Sequence, residues 1–226
     1  MVPPDIHRRR VRWQPAWRVV PTRYPTVYLF DRIADPADFD ALYALEALTN
    51  ERVRDELGDV SLVPPEERLL GPGSGPIMAA FTHLNPAGSR FSDGSYGVFY
   101  AARDRETAIA ETRHHHGKFM AATREPPTHL PMRLYRVDIN ATLHDLRAGD
   151  LDPAIHSPDS YAASQLIGRR LRAAGSAGVM YQSVRHERGQ CAGLFKPRGA
   201  QQCLHSAYLL YRWDGSSFSD VYEKLD

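Results

Sequence analysis

The sequence is poor in cysteine and carries almost no net charge. Its 226 residues include two cysteines, Cys191 and Cys203, which excludes a disulfide-stapled scaffold and a zinc site built from cysteines. The formal net charge is +1, so nothing indicates a groove for nucleic acid. Neither an apolar signal region nor a membrane-spanning apolar run is present. We therefore expect a cytoplasmic protein without membrane binding or direct nucleic-acid binding.

The motifs of several enzyme classes are missing as well. Neither the GxSxG elbow of a serine hydrolase nor the GxGxxG turn of a dinucleotide-binding fold occurs. The run GPGSGP lacks the Lys-Ser/Thr of a phosphate-binding P-loop. Three adjacent histidines, 114–116, would point in different directions on a helix, so we expect no metal site there.

Short apolar segments and helical patterns follow one another without regular βαβ alternation. Strands are predicted at 77–84, 96–102, 132–139, 179–183, 192–196, 207–213 and 218–222. Helices are predicted at 36–48, with a further stretch to 57, at 104–116 and at 160–175. Asp214-Gly215 predicts a hairpin between the last two strands. This order indicates an α+β fold with a mixed, largely antiparallel sheet and flanking helices.

The stretch from Phe81 to His116 combines a polar loop, an aromatic strand and a helix that carries a carboxylate. Arg90 lies in the loop, and its guanidinium fork suits a carboxylate or a pyrophosphate. Tyr100 lies in the strand, and Glu111 lies on an alanine-rich helix face with room for a ligand. Each also has a structural alternative, respectively a surface arginine, a core aromatic and a solvated glutamate.

Two further candidates lie outside this loop and helix. Ser183 ends the strand GVMYQS and is followed by Arg185 and His186, which without an elbow motif is weak evidence for a hydrolase. His83 lies beside Thr82 in the apolar segment IMAAFTHL. A core histidine with satisfied hydrogen bonds is the commoner outcome for such a residue.

Taken together, several blocks of the chain resemble the RES domain family, which is named for an Arg, a Glu and a Ser. The block SRFSDGSYGVFYAARDRETAIAETRHH is similar to the family's Arg, aromatic strand ending in Tyr-Ala, and Ala-x-x-Glu. GVMYQSVRHERGQCAGLF is similar to its later block of a glycine, a short strand, Ser and an apolar strand. WRVVPTRYP resembles an N-terminal element, so the resemblance begins at about Trp17.

The resemblance implies a fold like that of NAD-dependent ADP-ribosyltransferases of the diphtheria-toxin kind. It implies the toxin of a bacterial toxin–antitoxin pair, which consumes NAD+ as its substrate without a metal. The acceptor of ADP-ribose would be a protein side chain, phosphate or water. The expected partner is an antitoxin with a helix-turn-helix domain that occludes the active site, in a complex that contains a toxin homodimer. Residues 61–226 would form the catalytic domain, and residues 1–60 an N-terminal extension with a helix packed on it.

Carried over by position, the resemblance assigns catalytic roles to four residues. Glu111 would stabilise positive charge on the ribose, and Arg90 would hold the pyrophosphate. Tyr100 would pack against the nicotinamide ring, and Ser183 would position Glu111 or the substrate. Arg90, Tyr100 and Ser183 would thus also contact NAD+.

One position departs from the family pattern. Many members carry an arginine on the first core strand, but the predicted strand 77–84 offers His83 instead. We therefore assign His83 and its neighbour Thr82 to NAD+ binding and keep Arg18 as the alternative.

Two other functions stay open on the sequence. One is a serine hydrolase in which Ser183 acts with His186 or His205. The other is a non-catalytic binding domain in which Arg90 and Glu111 form only a structural ion pair.

Overall fold

The computed structural model describes residues 6–24, 29–32, 57–147 and 151–224, and these residues form an α+β fold. Seven strands make one sheet: β1 (Arg8–Pro21), β2 (Phe99–Ala102), β3 (Thr128–Asp145), β4 (Gly178–Gln182), β5 (Gln190–Leu194), β6 (Ala200–Trp213) and β7 (Phe218–Glu223). The helices with described bounds are α1 (Leu29–Arg32), α2 (Gly75–Thr82), α3 (Arg105–Ala122) and α4 (Ala162–Ala173). None of these helices combines the length and apolarity needed to span a membrane.

The sheet has the order β1-β2-β5-β4-β3-β6-β7, with an additional pairing between β1 and β3. This pairing closes the first five strands of that order into a ring. Only the β3–β4 pairing is parallel among the described strands. The predicted α+β class with a mixed, largely antiparallel sheet is therefore confirmed.

Two apolar clusters cover the two faces of the sheet. Neighbouring residues on β3 show the alternation, because Leu134 belongs to one cluster and Tyr135 to the other. The first cluster also includes Phe81 from α2 and Phe99 from β2. The second includes Ala108 from α3 and residues of α4. The clusters hold β2, α3 and α4 in place, and these elements carry the residues predicted to be functional.

The predicted strand at 77–84 is wrong, because this segment belongs to helix α2. A short apolar run fits a buried strand or a buried helix equally well. Two features at its N-terminus favour the helix. Pro76 lies in the first turn, and the Asp31 carboxylate accepts a hydrogen bond from the Gly75 N–H at 2.6 Å. His83 therefore follows a helix and does not lie on a strand of the sheet.

Other predicted elements exist with different bounds. Helix α3 continues to Ala122, beyond the predicted end at residue 116, and β3 is much longer than the predicted 132–139. The hairpin at Asp214-Gly215 is confirmed, since β6 and β7 pair in antiparallel fashion on either side of it. The predicted helix at 36–48 lies outside the described residues.

Strand β1 lies within residues 1–60, which we predicted to be an extension packed on the catalytic domain. Twelve of its 14 residues pair with β3, from Arg8 opposite His144 to Pro21 opposite Met132. This part of the predicted extension is thus a strand of the sheet itself. The division at residue 60 stays a prediction.

Candidate active site

The Glu111 carboxylate is fixed by the hydroxyl of Ser183. Asp104 caps α3 by accepting a hydrogen bond from the Thr107 N–H at 2.8 Å, which starts the helix that carries Glu111. Ser183 follows the last residue of β4, and its Oγ donates to Glu111 Oε1 at 2.6 Å. The Glu111 side chain is 14% exposed. A charge-assisted hydrogen bond of this length orients one carboxylate oxygen and leaves the other free to face the site.

The hydroxyl of Ser183 has all of its hydrogen bonds made. It accepts from the backbone N–H groups of Arg185 and His186, each at 3.1 Å, and its proton points to Glu111. Among the described residues the His186 ring makes no hydrogen bond to this hydroxyl, and its Nδ1 lies 2.7 Å from Thr107 Oγ1. Both lone pairs of the Ser183 oxygen are occupied by N–H donors, whereas a nucleophilic serine needs a free lone pair to attack its substrate. The contacts of Ser183 therefore indicate a positioning group and not the nucleophile of a hydrolase.

Arg90 is buried without a counter-ion in the described part of the chain. The residue is 4% exposed, and Nη1 donates to the carbonyls of Ser157 at 3.1 Å and Ile155 at 3.4 Å. The guanidinium carbon lies 4.7 Å from the centre of the Tyr161 ring. No carboxylate of the described residues lies within ion-pair distance, so the structural pair with Glu111 is not formed. A buried cation without an anion is costly, and an anionic ligand would offset that cost.

Tyr100 holds the loop on both sides of Arg90. Its hydroxyl accepts from the Phe91 N–H at 2.9 Å and shares a hydrogen bond with Ser89 Oγ at 2.8 Å. Burial raises the pKa of Tyr100 well above its usual value, so the hydroxyl keeps its proton. The structure therefore joins Tyr100 to the Arg90 loop.

Arg18, and not His83, lies on the first strand of the sheet. Its Nη1 donates to the Tyr100 carbonyl at 2.8 Å, and its guanidinium lies 4.6 Å from the centre of the Phe99 ring. Burial lowers the pKa of Arg18, and Nε is buried without a hydrogen-bond partner in the described part of the chain. His83 is exposed, and its Nδ1 lies 3.2 Å from Thr82 Oγ1.

Four further residues, which the sequence reasoning did not assign to the site, adjoin the predicted ones: His114, His115, Tyr161 and Arg185. His115 Nε2 lies 3.9 Å from Glu111 Oε2, and the His115 ring centre is 6.3 Å from that of Tyr161. Burial, followed by nearby Arg185, lowers the pKa of His114 to about 4. The i, i+4 spacing of Glu111 and His115 on a helix was a usable signal, whereas Tyr161 carries none.

Helix α4 supports the Arg90 loop from outside. Gln165 Nε2 donates to the carbonyls of Ser89 at 3.0 Å and Ser92 at 3.2 Å. Gly168 approaches so closely that a Cβ atom there would lie 2.3 Å from the Phe91 carbonyl oxygen. The position of Arg90 thus depends on α4 as well as on Tyr100.

The sequence model of the RES domain matches residues 66–214. The chain belongs to the RES domain family. The predicted resemblance is therefore confirmed, and Arg90, Tyr100, Glu111 and Ser183 all lie within the matched residues of this RES domain.

Two individual proteins are similar to this chain over most of its length. The uncharacterized protein y4oC of Sinorhizobium fredii (strain NBRC 101917 / NGR234) is 26% identical over 208 residues, which cover 91% of this chain and 86% of y4oC. A chain in the crystal structure of the M. tuberculosis MbcT–MbcA toxin–antitoxin complex is 12% identical with a TM-score of 0.46. That match covers 89% of this chain and 86% of the other.

Proposed function

We propose that this RES domain is the toxin of a bacterial toxin–antitoxin pair and acts on NAD+. It cleaves the bond between nicotinamide and ribose, transfers ADP-ribose to an acceptor and thereby arrests growth. Membership of the RES domain family supports the toxin class. One observation supports the reaction: Ser183 orients the Glu111 carboxylate, and His115 and Tyr161 lie between this carboxylate and Arg90. Arg90 is buried without a counter-ion among the described residues.

Glu111 is suited to the charge that this reaction develops. As nicotinamide leaves, the ribose acquires oxocarbenium-like positive charge, and the electron pair of the broken bond goes to the nicotinamide nitrogen. A preorganised carboxylate stabilises this charge more strongly in a partly buried site than in water. Nicotinamide leaves as a neutral molecule, so the reaction requires no strong general acid.

Arg90 is suited to the pyrophosphate of NAD+. Its planar fork can donate two parallel hydrogen bonds to phosphate oxygens. Of its donors, only Nη1 makes hydrogen bonds to described residues, which leaves Nη2 and Nε for a ligand. The anion would supply the counter-charge that the described residues do not.

Tyr100, Ser183 and the first-strand position complete the proposed NAD+ site. Ser183 keeps Glu111 in place, and Tyr100 keeps the Arg90 loop in place and packs against the nicotinamide. Arg18 fits the first-strand position better than His83, because Arg18 lies on β1 and touches Tyr100. Thr82 is bonded to the Met78 carbonyl of its own helix at 3.3 Å, which makes it a weaker candidate for NAD+ binding.

The proposed partner is an antitoxin with a helix-turn-helix domain that covers this site in the cytoplasm, in a complex that contains a toxin homodimer. The acceptor is a protein side chain, phosphate or water. Residue 109, two positions before Glu111, is an isoleucine and not a second acid, which disfavours transfer to arginine side chains.

The test is nicotinamide release by the wild type, by Glu111→Gln and by the control Glu106→Gln. Glu106 lies on the same helix, in its exposed first turn. Glu111→Gln should reduce release about 10²- to 10³-fold, as expected for the loss of one preorganised group. It should also relieve growth arrest, whereas Glu106→Gln should match the wild type. A folded Glu111→Gln protein with full activity would refute the proposal.

A further inference from the structure

We propose that His115 is an additional catalytic residue of this RES domain, which accepts the proton of the oxygen nucleophile that captures the ribose. This inference rests on the proposed NAD+ reaction. It restricts the acceptor of ADP-ribose to groups that carry a proton on the attacking oxygen, such as water or a protein hydroxyl.

The geometry places His115 at the open side of the Glu111 carboxylate. Ser183 occupies Oε1 at 2.6 Å, and His115 Nε2 lies 3.9 Å from Oε2. That gap is too long for a direct hydrogen bond but short enough for both groups to contact one small ligand between or beside them. His115 is thus placed to act on an atom that also approaches Glu111.

His115 also adjoins the residue on which Arg90 is stacked. The His115 ring lies 6.3 Å from the Tyr161 ring, which carries the Arg90 guanidinium 4.7 Å from its centre. The His115 side chain is 48% exposed, so an acceptor can reach it from solvent. The His115 ring therefore lies between Glu111 and the Tyr161 ring that contacts Arg90, and it is open to solvent.

The surroundings keep the imidazole in the form that a base requires. Partial burial lowers the pKa of His115 to about 4, and the positive charges of Arg90, Arg185 and Lys118 act in the same direction. The Glu111 carboxylate faces the ring and favours the protonated form that arises during the reaction. At pH 7 the resting His115 is neutral and has a free lone pair.

Apart from His115, the described contacts of the Glu111 carboxylate include no second acid or base for the reaction. Glycoside chemistry uses one group to stabilise the ribosyl cation and another to activate the attacking oxygen. Glu111 fills the first role, and its neighbour two positions earlier, Ile109, cannot fill the second. In the proposed step the acceptor O–H bond breaks, the new C–O bond forms at the ribose, and the proton passes to His115 and then to solvent.

The experiment compares nicotinamide release by the wild type, by His115→Gln and by His116→Gln. His116 is a matched control, since it lies on the same helix and burial also lowers its pKa to about 4. The assays use phosphate-free buffer and the same buffer with added inorganic phosphate, each with and without dialysed cell lysate. His115→Gln should lower kcat about 10²- to 10⁴-fold with KM for NAD+ almost unchanged, as general-base loss predicts. His116→Gln should match the wild type.

A second variant separates a chemical role from a structural one. His115→Ala should lose the same activity, and added imidazole should restore part of it, because free imidazole can take the place of the missing base. A His115→Gln protein with wild-type kcat, or a His115→Ala protein that imidazole does not rescue, would overturn the inference. A wild type that needs inorganic phosphate would overturn it too, because ionised phosphate attacks without a base. That result would leave the proposed function intact, whereas no release in any condition would remove both.

Discussion

The hydroxyl of Tyr100 accepts a hydrogen bond from the backbone N–H of Phe91 at 2.9 Å. The same hydroxyl is 2.8 Å from Ser89 Oγ, so one strand residue is tied to both neighbours of Arg90. Arg18 in turn donates to the Tyr100 carbonyl at 2.8 Å and ties β1 to the same residue. The Tyr100 side chain therefore connects the sheet to the Arg90 loop by hydrogen bonds.

Tyr100→Phe should weaken both stability and substrate binding. Phe91 is fully buried, and removal of the hydroxyl leaves its N–H without an acceptor. An unsatisfied buried donor costs about 1–3 kcal/mol. The loop would also lose its attachment beside Arg90, so KM for NAD+ should rise. Urea unfolding and steady-state kinetics of the variant measure the two effects.

Tyr208→Phe is a suitable control for that change. Tyr208 is 42% exposed on β6, so its hydroxyl should contribute little to stability. If Tyr100→Phe has the same unfolding midpoint and KM as the Tyr208 variant, the hydroxyl does not organise the loop.

Ser183→Ala should lower the rate without abolishing it. The variant frees Glu111 Oε1 and leaves the N–H groups of Arg185 and His186 without their acceptor. A hydrogen bond to a charged group contributes about 1.5–3 kcal/mol, which corresponds to a drop in kcat of about 10- to 160-fold. The measurement is nicotinamide release at saturating NAD+.

Ser219→Ala is the control variant, because Ser219 is exposed on β7, and its rate of nicotinamide release should match that of the wild type. A fluorophosphonate probe applied to the wild type gives an independent readout. Covalent labelling of Ser183 would mean that Ser183 is a nucleophile, contrary to its contacts.

Stability should fall as the pH drops from about 6.5 towards 4. Burial lowers the pKa of His114, His115 and His116 to about 4, below the value of 6.5 expected in the unfolded chain. In this range the unfolded state binds more protons, so acid favours unfolding. Each histidine contributes at most about 1.4 kcal/mol per pH unit, and less where its ring is solvated.

Urea unfolding of the wild type and His114→Gln at pH 7.5 and 5.5 tests this dependence. The Nε2 atom of His114 is buried without a hydrogen-bond partner among described residues, so its protonation should be costly. The stability of His114→Gln should therefore change less with pH than that of the wild type. An identical loss in both proteins would show that this histidine is not responsible.

The sequence singled out residues that the structure places in contact, although it missed or misplaced several of the elements that carry them. Glu111 and Ser183 were recognisable because a helix and a strand end are local patterns, and the structure joins them by a hydrogen bond. Strand β1 is absent from the predicted strands, yet it runs from Arg8 to Pro21 because β3 pairs along almost its whole length. Such pairing is between distant residues and leaves no local trace.

The contacts of Arg90 could not be predicted from the sequence. Its carbonyl partners and the Tyr161 ring lie about 65 to 71 residues further along the chain, and contacts over such a separation leave no local pattern. The error at 77–84 has the same origin. A capping carboxylate from Asp31, 44 residues before Gly75, favours the helix.

The close approach of α4 to the Arg90 loop gives the last prediction. Gly168→Ala would put a Cβ atom 2.3 Å from the Phe91 carbonyl oxygen, so the helix or the loop must move. Overpacking of this kind costs about 1–3 kcal/mol. A shift of the loop should also raise KM for NAD+ through Arg90.

Gly117→Ala is the matched change on α3, because its Cβ would meet nothing closer than 3.8 Å. Replacing this helical glycine should be neutral or stabilise the fold by about 0.5–1 kcal/mol. Thermal or urea unfolding of the two variants, with KM for each, separates close packing from helix propensity. If Gly168→Ala proves as stable and as active as Gly117→Ala, then the close approach at Gly168 does not fix the position of the Arg90 loop.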